Sequence, residues 1–249
     1  MTAPGWVTAR PIAHRGLHDV RQGVIENTRP AFAAAVAHGF AIECDVQLTR
    51  DGEAVVHHDF ELGRLTEGSG RLDRMSAAEL REVRFRHGEG RIEPLADILR
   101  FIAGRVTLVV EIKSAFDGDL RLTRRTAGIV QAAGGPVALK SFDPNIVAAL
   151  RMLAPDVPRG IIAERHYEGE EWAALNAARR DILSRLGHLP ETMPDFISYR
   201  INDLAESIGF LRETAPGLPI MSWTVRTPEQ RMAAERADAQ IVFEGFVPV

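Results

Sequence analysis

Short apolar segments alternate with amphipathic or alanine-rich segments along the whole of this 249-residue chain. Residues 106–112 form a continuous, largely β-branched run that is typical of a strand buried on both faces. The following segment, 120–133, has helical periodicity and ends at Gly134-Gly135. Repeated alternation of this kind predicts a parallel sheet covered by helices. The nine strand candidates are residues 11–14, 40–48, 54–58, 106–112, 137–142, 160–163, 196–199, 219–225 and 241–244.

Capping signals set the boundaries of the predicted helices. Thr28 precedes Pro30 at the start of a helix that ends at Gly39. Ser76 and Thr227 each stand three residues before Glu or Gln, which is the capping-box pattern. The helix candidates are residues 28–39, a short helix opening at 76, and residues 95–102, 120–133, 143–153, 170–186, 203–213 and 227–237.

This length and pattern are typical of one α/β barrel domain. We therefore predict a single domain over residues 1–249, folded as a (β/α)8 TIM barrel. Because there are nine strand candidates, one of them has to be a side hairpin or an edge piece. Residues 63–91 are polar and glycine-rich and lack the alternation. We expect a small insertion over residues 60–91, after the early strand hairpin and above the barrel mouth.

Composition excludes several functional classes. The chain carries 30 Lys plus Arg against 34 Asp plus Glu, a net charge of -4, which argues against a protein built mainly to bind nucleic acid. The single Cys44 excludes an intramolecular disulfide framework. No apolar run approaches the roughly 20 residues of a membrane span, and residues 1–10 do not resemble a signal peptide. We expect a cytoplasmic protein without a transmembrane segment; a homo-oligomer is left open.

Charged residues gather at the predicted C-terminal ends of strands, where the active sites of such barrels lie. Glu43 and Asp45 share one face of their strand, and Glu111 and Lys113 end the buried strand. Two acids side by side inside a barrel repel unless a positive charge compensates them, and a hard divalent cation with oxygen ligands does so. The alternatives are an exposed edge strand with solvated acids and, for Glu111 and Lys113, a stabilising ion pair.

Two histidines stand near these charges. His14 ends the first strand and is followed by Arg15 and Gly16, which permits close backbone approach. Asp51-Gly52 between two strands predicts a hairpin. If these are the two loop residues, paired positions sum to 103 and His58 lies opposite Asp45, with His57 pointing away. His58 is then the working histidine of the pair.

The combined chemistry is specific although each part is common. Carboxylates suit Ca²⁺ or Mg²⁺, Arg15 and Lys113 suit a phosphate, and histidines suit proton transfer at neutral pH. The sum predicts metal-assisted cleavage of a phosphodiester. No strand is followed by a dinucleotide-binding glycine pattern.

At this point the chain resembles the glycerophosphodiester phosphodiesterase family over nearly its whole length. The matching stretches are residues 13–16, 26–28, 42–52, 55–59, 111–113, 141–144 and 223–225, in the order of the family. The chain departs from the family at Ile25, where Pro is frequent, and at 241–244, where a Thr-Asp pair is usual.

The resemblance implies a (β/α)8 barrel with a small insertion and the hydrolysis of glycerophosphodiesters, such as glycerophosphocholine, to glycerol 3-phosphate and an alcohol. It implies a divalent cation, Ca²⁺ or Mg²⁺, and a small-molecule substrate as the partner. His14 and His58 match the catalytic histidines, which act as general acid and base in an unassigned order. The metal ligands match Glu43, Asp45 and Glu111, whereas Arg15, Lys113 and Trp223 match substrate-binding positions.

Three rival functions remain. Metal-dependent amidohydrolases share the barrel but usually begin with His-x-His, which is absent at residues 14–16. A phospholipase D-like activity on lysophospholipids requires an apolar mouth, which Phe60, Leu62, Leu65 and Phe85 would supply. A barrel that only binds a phosphorylated ligand is disfavoured, because both histidines and all three acids occur together.

Overall fold

The computed structural model describes residues 3–248. Eight parallel strands close into a barrel in the order β1-β11-β10-β9-β8-β7-β6-β2, because β1 pairs with both β11 and β2. The (β/α)8 prediction is confirmed. The eight barrel strands are β1 (Ile12–Ala13), β2 (Ala41–Leu48), β6 (Leu108–Ile112), β7 (Val137–Ser141), β8 (Arg159–Ala163), β9 (Phe196–Arg200), β10 (Ile220–Val225) and β11 (Ala239–Phe243).

Three short strands lie outside the barrel. β3 (Ala54–Val56) pairs antiparallel with β2, so the ninth strand candidate is a side hairpin. β4 (Glu61–Leu62) and β5 (Gly70–Arg71) form a two-stranded sheet within the segment where we expect the insertion. The helices are α1 (Arg29–Ala37), α2 (Ala77–Glu82), α3 (Leu95–Ile102), α4 (Arg121–Ala133), α5 (Pro144–Leu153), α6 (Ala177–Ser184), α7 (Leu189–Thr192), α8 (Ile201–Thr214) and α9 (Pro228–Arg236).

Strand alternation separates an apolar from a polar surface on β2. Ile42, Cys44 and Val46 belong to the large core between barrel and helices. The alternate residues point into the barrel, where Ala41 joins an apolar layer at the bottom. Glu43 and Asp45 stand above Ala41 on this inward face, as the period of two residues requires. The polar groups therefore occupy the C-terminal end of the barrel.

Phe196 fills the bottom layer and depends on a glycine opposite it. A Cβ atom added to Gly160 on β8 would lie 2.2 Å from a ring carbon of Phe196. Only a residue without a side chain leaves room for the ring.

The predicted register of the early hairpin is wrong by one residue. Val46 pairs with Val56 and Leu48 with Ala54, so paired positions sum to 102. The loop has three residues, 50–52, and Gly52 closes it at φ +80°. His57 rather than His58 lies opposite Asp45, because the His57 amide donates to the Asp45 carbonyl.

The helix predicted over 170–186 is also wrong. The segment starts with a 3-10 turn at Glu170–Trp172, and α6 begins only at Ala177. Asn176 interrupts it, because its side chain accepts a hydrogen bond from the Arg179 amide and thereby caps α6. Asparagine favours this N-cap position over a helix interior.

A second, smaller core lies beside the barrel. Leu62, Phe85 and the partly buried Leu65 pack in it, and Phe60 is exposed. The residues that would have formed an apolar mouth thus mostly cover one another. The buried members of this core are Ile25, Val55, Leu62, Leu72, Leu80, Phe85 and Ile92.

Candidate active site

Three buried carboxylates meet at the C-terminal end of the barrel. Glu43 and Asp45 lie on β2 and Glu111 on the adjacent β6, where Asp45 and Glu111 are register partners. One oxygen of each lies within 4.8 Å of the others, which suits a divalent metal ion. We call these residues the acidic triad. Carboxylate oxygens are the ligands that Ca²⁺ and Mg²⁺ prefer, so the donor set fits such an ion.

Three basic side chains balance the acidic triad. Lys113 Nζ lies 2.8 Å from Asp45 Oδ1 and 2.6 Å from Glu111 Oε1. Lys140 Nζ, on β7, lies 3.1 Å from Glu43 Oε1 and is almost completely buried. Burial would raise the pKa of Asp45, but Lys113 and Arg15 hold it well below its usual range. Lys113 and Lys140 likewise outweigh the effect of burial at Glu111 and lower its pKa, so the Asp45 and Glu111 carboxylates are ionised at neutral pH.

The loop after β1 brings Arg15 to the acidic triad. Its Nε lies 3.3 Å from Asp45 Oδ2 and its backbone amide donates to Glu43 Oε2 at 3.2 Å. Burial would lower the pKa of Arg15, but the neighbouring carboxylates raise it. Gly16 follows at φ +84°, and a Cβ there would lie 2.8 Å from the Cβ of Ala31. Glycine thus lets the loop pack on α1.

His14 is held between two carboxylates. Its Nδ1 lies 2.6 Å from Glu244 Oε2, and its Nε2 lies 4.0 Å from Glu43 Oε2. Glu244 follows the closing strand β11 and also accepts a hydrogen bond from Arg226 at 2.8 Å. His18 Nε2 lies 4.0 Å from Glu244 as well. The Glu244 carboxylate therefore fixes the His14 ring with Nε2 toward the acidic triad.

His58 comes to the site after β3 has ended. Its backbone carbonyl accepts a hydrogen bond of 2.8 Å from the Gln47 side chain on β2, and its Nδ1 lies 2.8 Å from Asp59 Oδ1. His57 instead packs near Phe85, with ring centroids 6.4 Å apart. Burial lowers the pKa of His57 to about 4, which keeps its ring neutral at neutral pH. The two neighbouring histidines thus have different environments, although not through the register that we predicted.

Trp223 contacts a backbone carbonyl and an aromatic ring rather than the acidic triad. Its indole Nε1 donates to the Ser198 carbonyl at 3.0 Å, and its ring meets Phe142 edge-on at 5.5 Å. Phe142 in turn packs against Trp172. Phe142 follows β7, Trp223 lies in the C-terminal half of β10, and Trp172 belongs to the segment after β8, so the rings line one side of the barrel mouth.

Sequence reasoning missed three contributors. Asn27 donates to Asp45 Oδ2 at 2.8 Å, Lys140 forms an ion pair with Glu43, and Glu244 is hydrogen-bonded to His14. The signals that could have found them are the matching segment 26–28, a lysine inside an apolar strand, and the unusual residues at 241–244.

Fold and site together define a TIM-barrel phosphodiesterase. The profile of the glycerophosphoryl diester phosphodiesterase family matches residues 14–244. The chain belongs to this family.

Named relatives agree with this assignment. "Probable glycerophosphodiester phosphodiesterase 2" of Mycobacterium tuberculosis is 34% identical over 234 residues, covering 88% of this chain and 80% of that protein. "Probable glycerophosphodiester phosphodiesterase 1" of the same species is 41% identical over 75 residues, which are 30% of this chain and only 26% of that relative.

Solved structures share the fold. An Oleispira antarctica phosphodiesterase in complex with its product sn-glycerol-3-phosphate has a TM-score of 0.77 at 19% identity, covering 96% of this chain and 94% of that one. The crystal structure named "Putative glycerophosphoryl diester phosphodiesterase" of Silicibacter pomeroyi has a TM-score of 0.75 at 23% identity, covering 94% of this chain and 89% of that one. Within residues 3–248, every helix is too short or too polar to cross a membrane.

Proposed function

We propose that this protein hydrolyses glycerophosphodiesters to glycerol 3-phosphate and an alcohol with the help of one bound divalent cation. The observation that carries the proposal is the buried acidic triad beside Arg15 and Lys113. Oxygen ligands and phosphate-binding cations then lie within a few ångströms of each other. The product found in the Oleispira antarctica structure supports the same product here.

In this proposal Glu43, Asp45 and Glu111 hold the cation, Ca²⁺ or Mg²⁺. The bound ion supplies Lewis acidity toward a phosphoryl oxygen and offsets the developing negative charge. Arg15 and Lys113 bind the remaining phosphate oxygens and orient the diester. Trp223 borders the space for the glycerol or alcohol portion.

His14 and His58 transfer the protons. One ring accepts a proton from the attacking hydroxyl, of water or of the neighbouring glycerol, as the new P–O bond forms. Attack by water gives glycerol 3-phosphate directly, whereas attack by the glycerol hydroxyl gives a cyclic phosphate whose ring P–O bond water then cleaves to give glycerol 3-phosphate. The other ring donates a proton to the alcohol oxygen as the old P–O bond breaks. In each ring Nδ1 is hydrogen-bonded to a carboxylate, which leaves Nε2 for the proton transfer.

The test is release of glycerol 3-phosphate from a mixture of glycerophosphodiesters in Ca²⁺, in Mg²⁺ and in EDTA. Wild type is compared with His58→Ala and with His57→Ala as the matched control. We expect cation-dependent release that His58→Ala abolishes. His57→Ala lowers thermal stability, because its ring is buried, but keeps most of kcat.

The proposal fails if no glycerol 3-phosphate is released from any of the diesters with either cation. It also fails if His57→Ala is inactive while a folded His58→Ala is active. Lysophospholipids form a further arm of the same assay. Choline release from them without release from glycerophosphocholine would favour the phospholipase D-like alternative.

A further inference from the structure

An arginine of the expected insertion reaches the candidate active site from outside the barrel. Arg64 follows β4, and its guanidinium binds two carboxylates at once. Its Nε lies 2.6 Å from Asp59 Oδ2, and its Nη2 lies 3.1 Å from Asp59 Oδ1. Nη2 also lies 2.7 Å from Glu26 Oε1, with Nη1 at 3.3 Å from Glu26 Oε2. The planar guanidinium is suited to such paired contacts.

Each of these carboxylates has a second partner in the site. Asp59 Oδ1 lies 2.8 Å from His58 Nδ1. Glu26 Oε1 accepts a hydrogen bond of 2.6 Å from Arg15 Nη1. Arg64 therefore joins His58 to Arg15 through a continuous chain of four charge-assisted contacts.

Charge holds this chain together at neutral pH. Burial would raise the pKa of Glu26, but Arg64 and Arg15 lower it to about 2. Burial would also raise the pKa of Asp59, but the hydrogen bonds from His58 and Arg64 outweigh this effect and hold the pKa below its usual range. Both carboxylates stay ionised and keep their partners oriented.

We propose that Arg64 is a positioning residue that orients the His58 ring and the Arg15 guanidinium together. The inference rests on the proposed function of these two residues. It gives residues 60–91 a part in assembling the site as well as in covering the mouth. Arg64 acts through Asp59 and Glu26, and the orientation of a proton donor and of a phosphate ligand then depends on one guanidinium. Partners of this kind typically contribute about 10–100-fold to activity.

The test compares Arg64→Ala with Arg71→Ala, an unusually close control. Arg71 lies in the same segment, makes a paired contact to Asp73 alone, and is 48% exposed against 46% for Arg64. With glycerophosphocholine as substrate, we expect Arg64→Ala to lower kcat about 10–100-fold and to raise KM. Arg71→Ala stays within twofold of wild type. Added guanidinium ion restores part of the activity of Arg64→Ala, and Arg64→Lys is intermediate because an ammonium cannot make the paired contacts that the planar guanidinium makes to each carboxylate.

A second measurement does not depend on turnover. ¹⁵N NMR of the His58 ring reports which nitrogen carries the proton, and we expect Arg64→Ala to change its signals while Arg71→Ala leaves them unchanged. The proposal is overturned if the His58 signals are the same in both variants, or if both lose activity and stability equally. If wild type hydrolyses none of the diesters, the proposed function fails, and the NMR comparison still decides whether Arg64 positions His58.

Discussion

Replacing Glu244 by Gln tests the support of His14 with almost no change in shape. Burial would raise the pKa of Glu244, but its hydrogen bond to His14 and its contact with Arg226 lower the pKa to about 2. The carboxylate is thus ionised and accepts from His14 Nδ1 at 2.6 Å. An amide in its place carries no charge, and only its oxygen end accepts, so it cannot accept from both His14 Nδ1 and Arg226 Nε.

The expected size follows from this contact. Hydrogen bonds to charged groups contribute about 1.5–3 kcal/mol, and the lower end applies because the Glu244 side chain is 22% exposed. If that free energy acts in the transition state, about 1.5 kcal/mol corresponds to a roughly tenfold lower kcat. We expect KM to change little, since the proposed phosphate ligands Arg15 and Lys113 are untouched.

Steady-state release of glycerol 3-phosphate at neutral pH measures the effect. Arg226→Gln is the control, because it removes the second partner of Glu244 and leaves the contact to His14 in place. We expect a smaller loss in this control than in Glu244→Gln. A folded Glu244→Gln enzyme with kcat within twofold of wild type would refute the role of Glu244 in orienting His14.

Four further substitutions test the fold and the charge balance. Burial lowers the pKa of His188 to about 4, whereas the pKa of an unfolded histidine is about 6.5. The free energy of unfolding therefore falls as the pH drops from about 6.5 to about 4, and thermal unfolding of His188→Gln should show a weaker pH dependence. Gly160→Ala forces a Cβ against Phe196 and should cost about 1–3 kcal/mol in urea unfolding. Gly128→Ala, in the open interior of α4, should stabilise by about 0.5–1 kcal/mol. Lys140→Met leaves the buried acidic triad undercompensated and should lower the free energy of unfolding by about 3–5 kcal/mol in EDTA.

The barrel could be predicted because its strands carry a strong local signal. Parallel strands buried on both faces read as apolar runs, and residues 108–112 are buried throughout. The inward position of Glu43 and Asp45 follows from the strand period alone. These inferences use residues that are neighbours in sequence.

The errors arose where one residue decides between two local structures. Asp51-Gly52 indicated a two-residue loop, yet Arg50 is also in the loop, and this shifts the register by one. A one-residue shift exchanges the two faces of a strand. His58 nevertheless reaches the site because β3 ends at Val56 and the chain turns before it.

The supports of the two histidines could not be predicted from local patterns. Glu244 is 230 residues from His14, and the two meet only because β1 and β11 close the barrel. Arg64 reaches Glu26 across 38 residues by a contact between two loops. Neither pair of residues stands at a spacing in the sequence that would indicate a contact.

The supports of His14 and His58 have the same arrangement. The chain lacks the Thr-Asp pair that the resemblance leads us to expect within 241–244, and Glu244 supplies the carboxylate beside His14 Nδ1. Arg226 Nε donates to Glu244 Oε1, the second oxygen of that carboxylate, just as Arg64 Nε donates to Asp59 Oδ2. Nδ1 of each histidine is thus hydrogen-bonded to a carboxylate, and each carboxylate accepts a hydrogen bond from an arginine. Because one arginine comes from the loop after β10 and the other from the expected insertion, the proposed proton-transfer geometry depends on the closed barrel and on this insertion together.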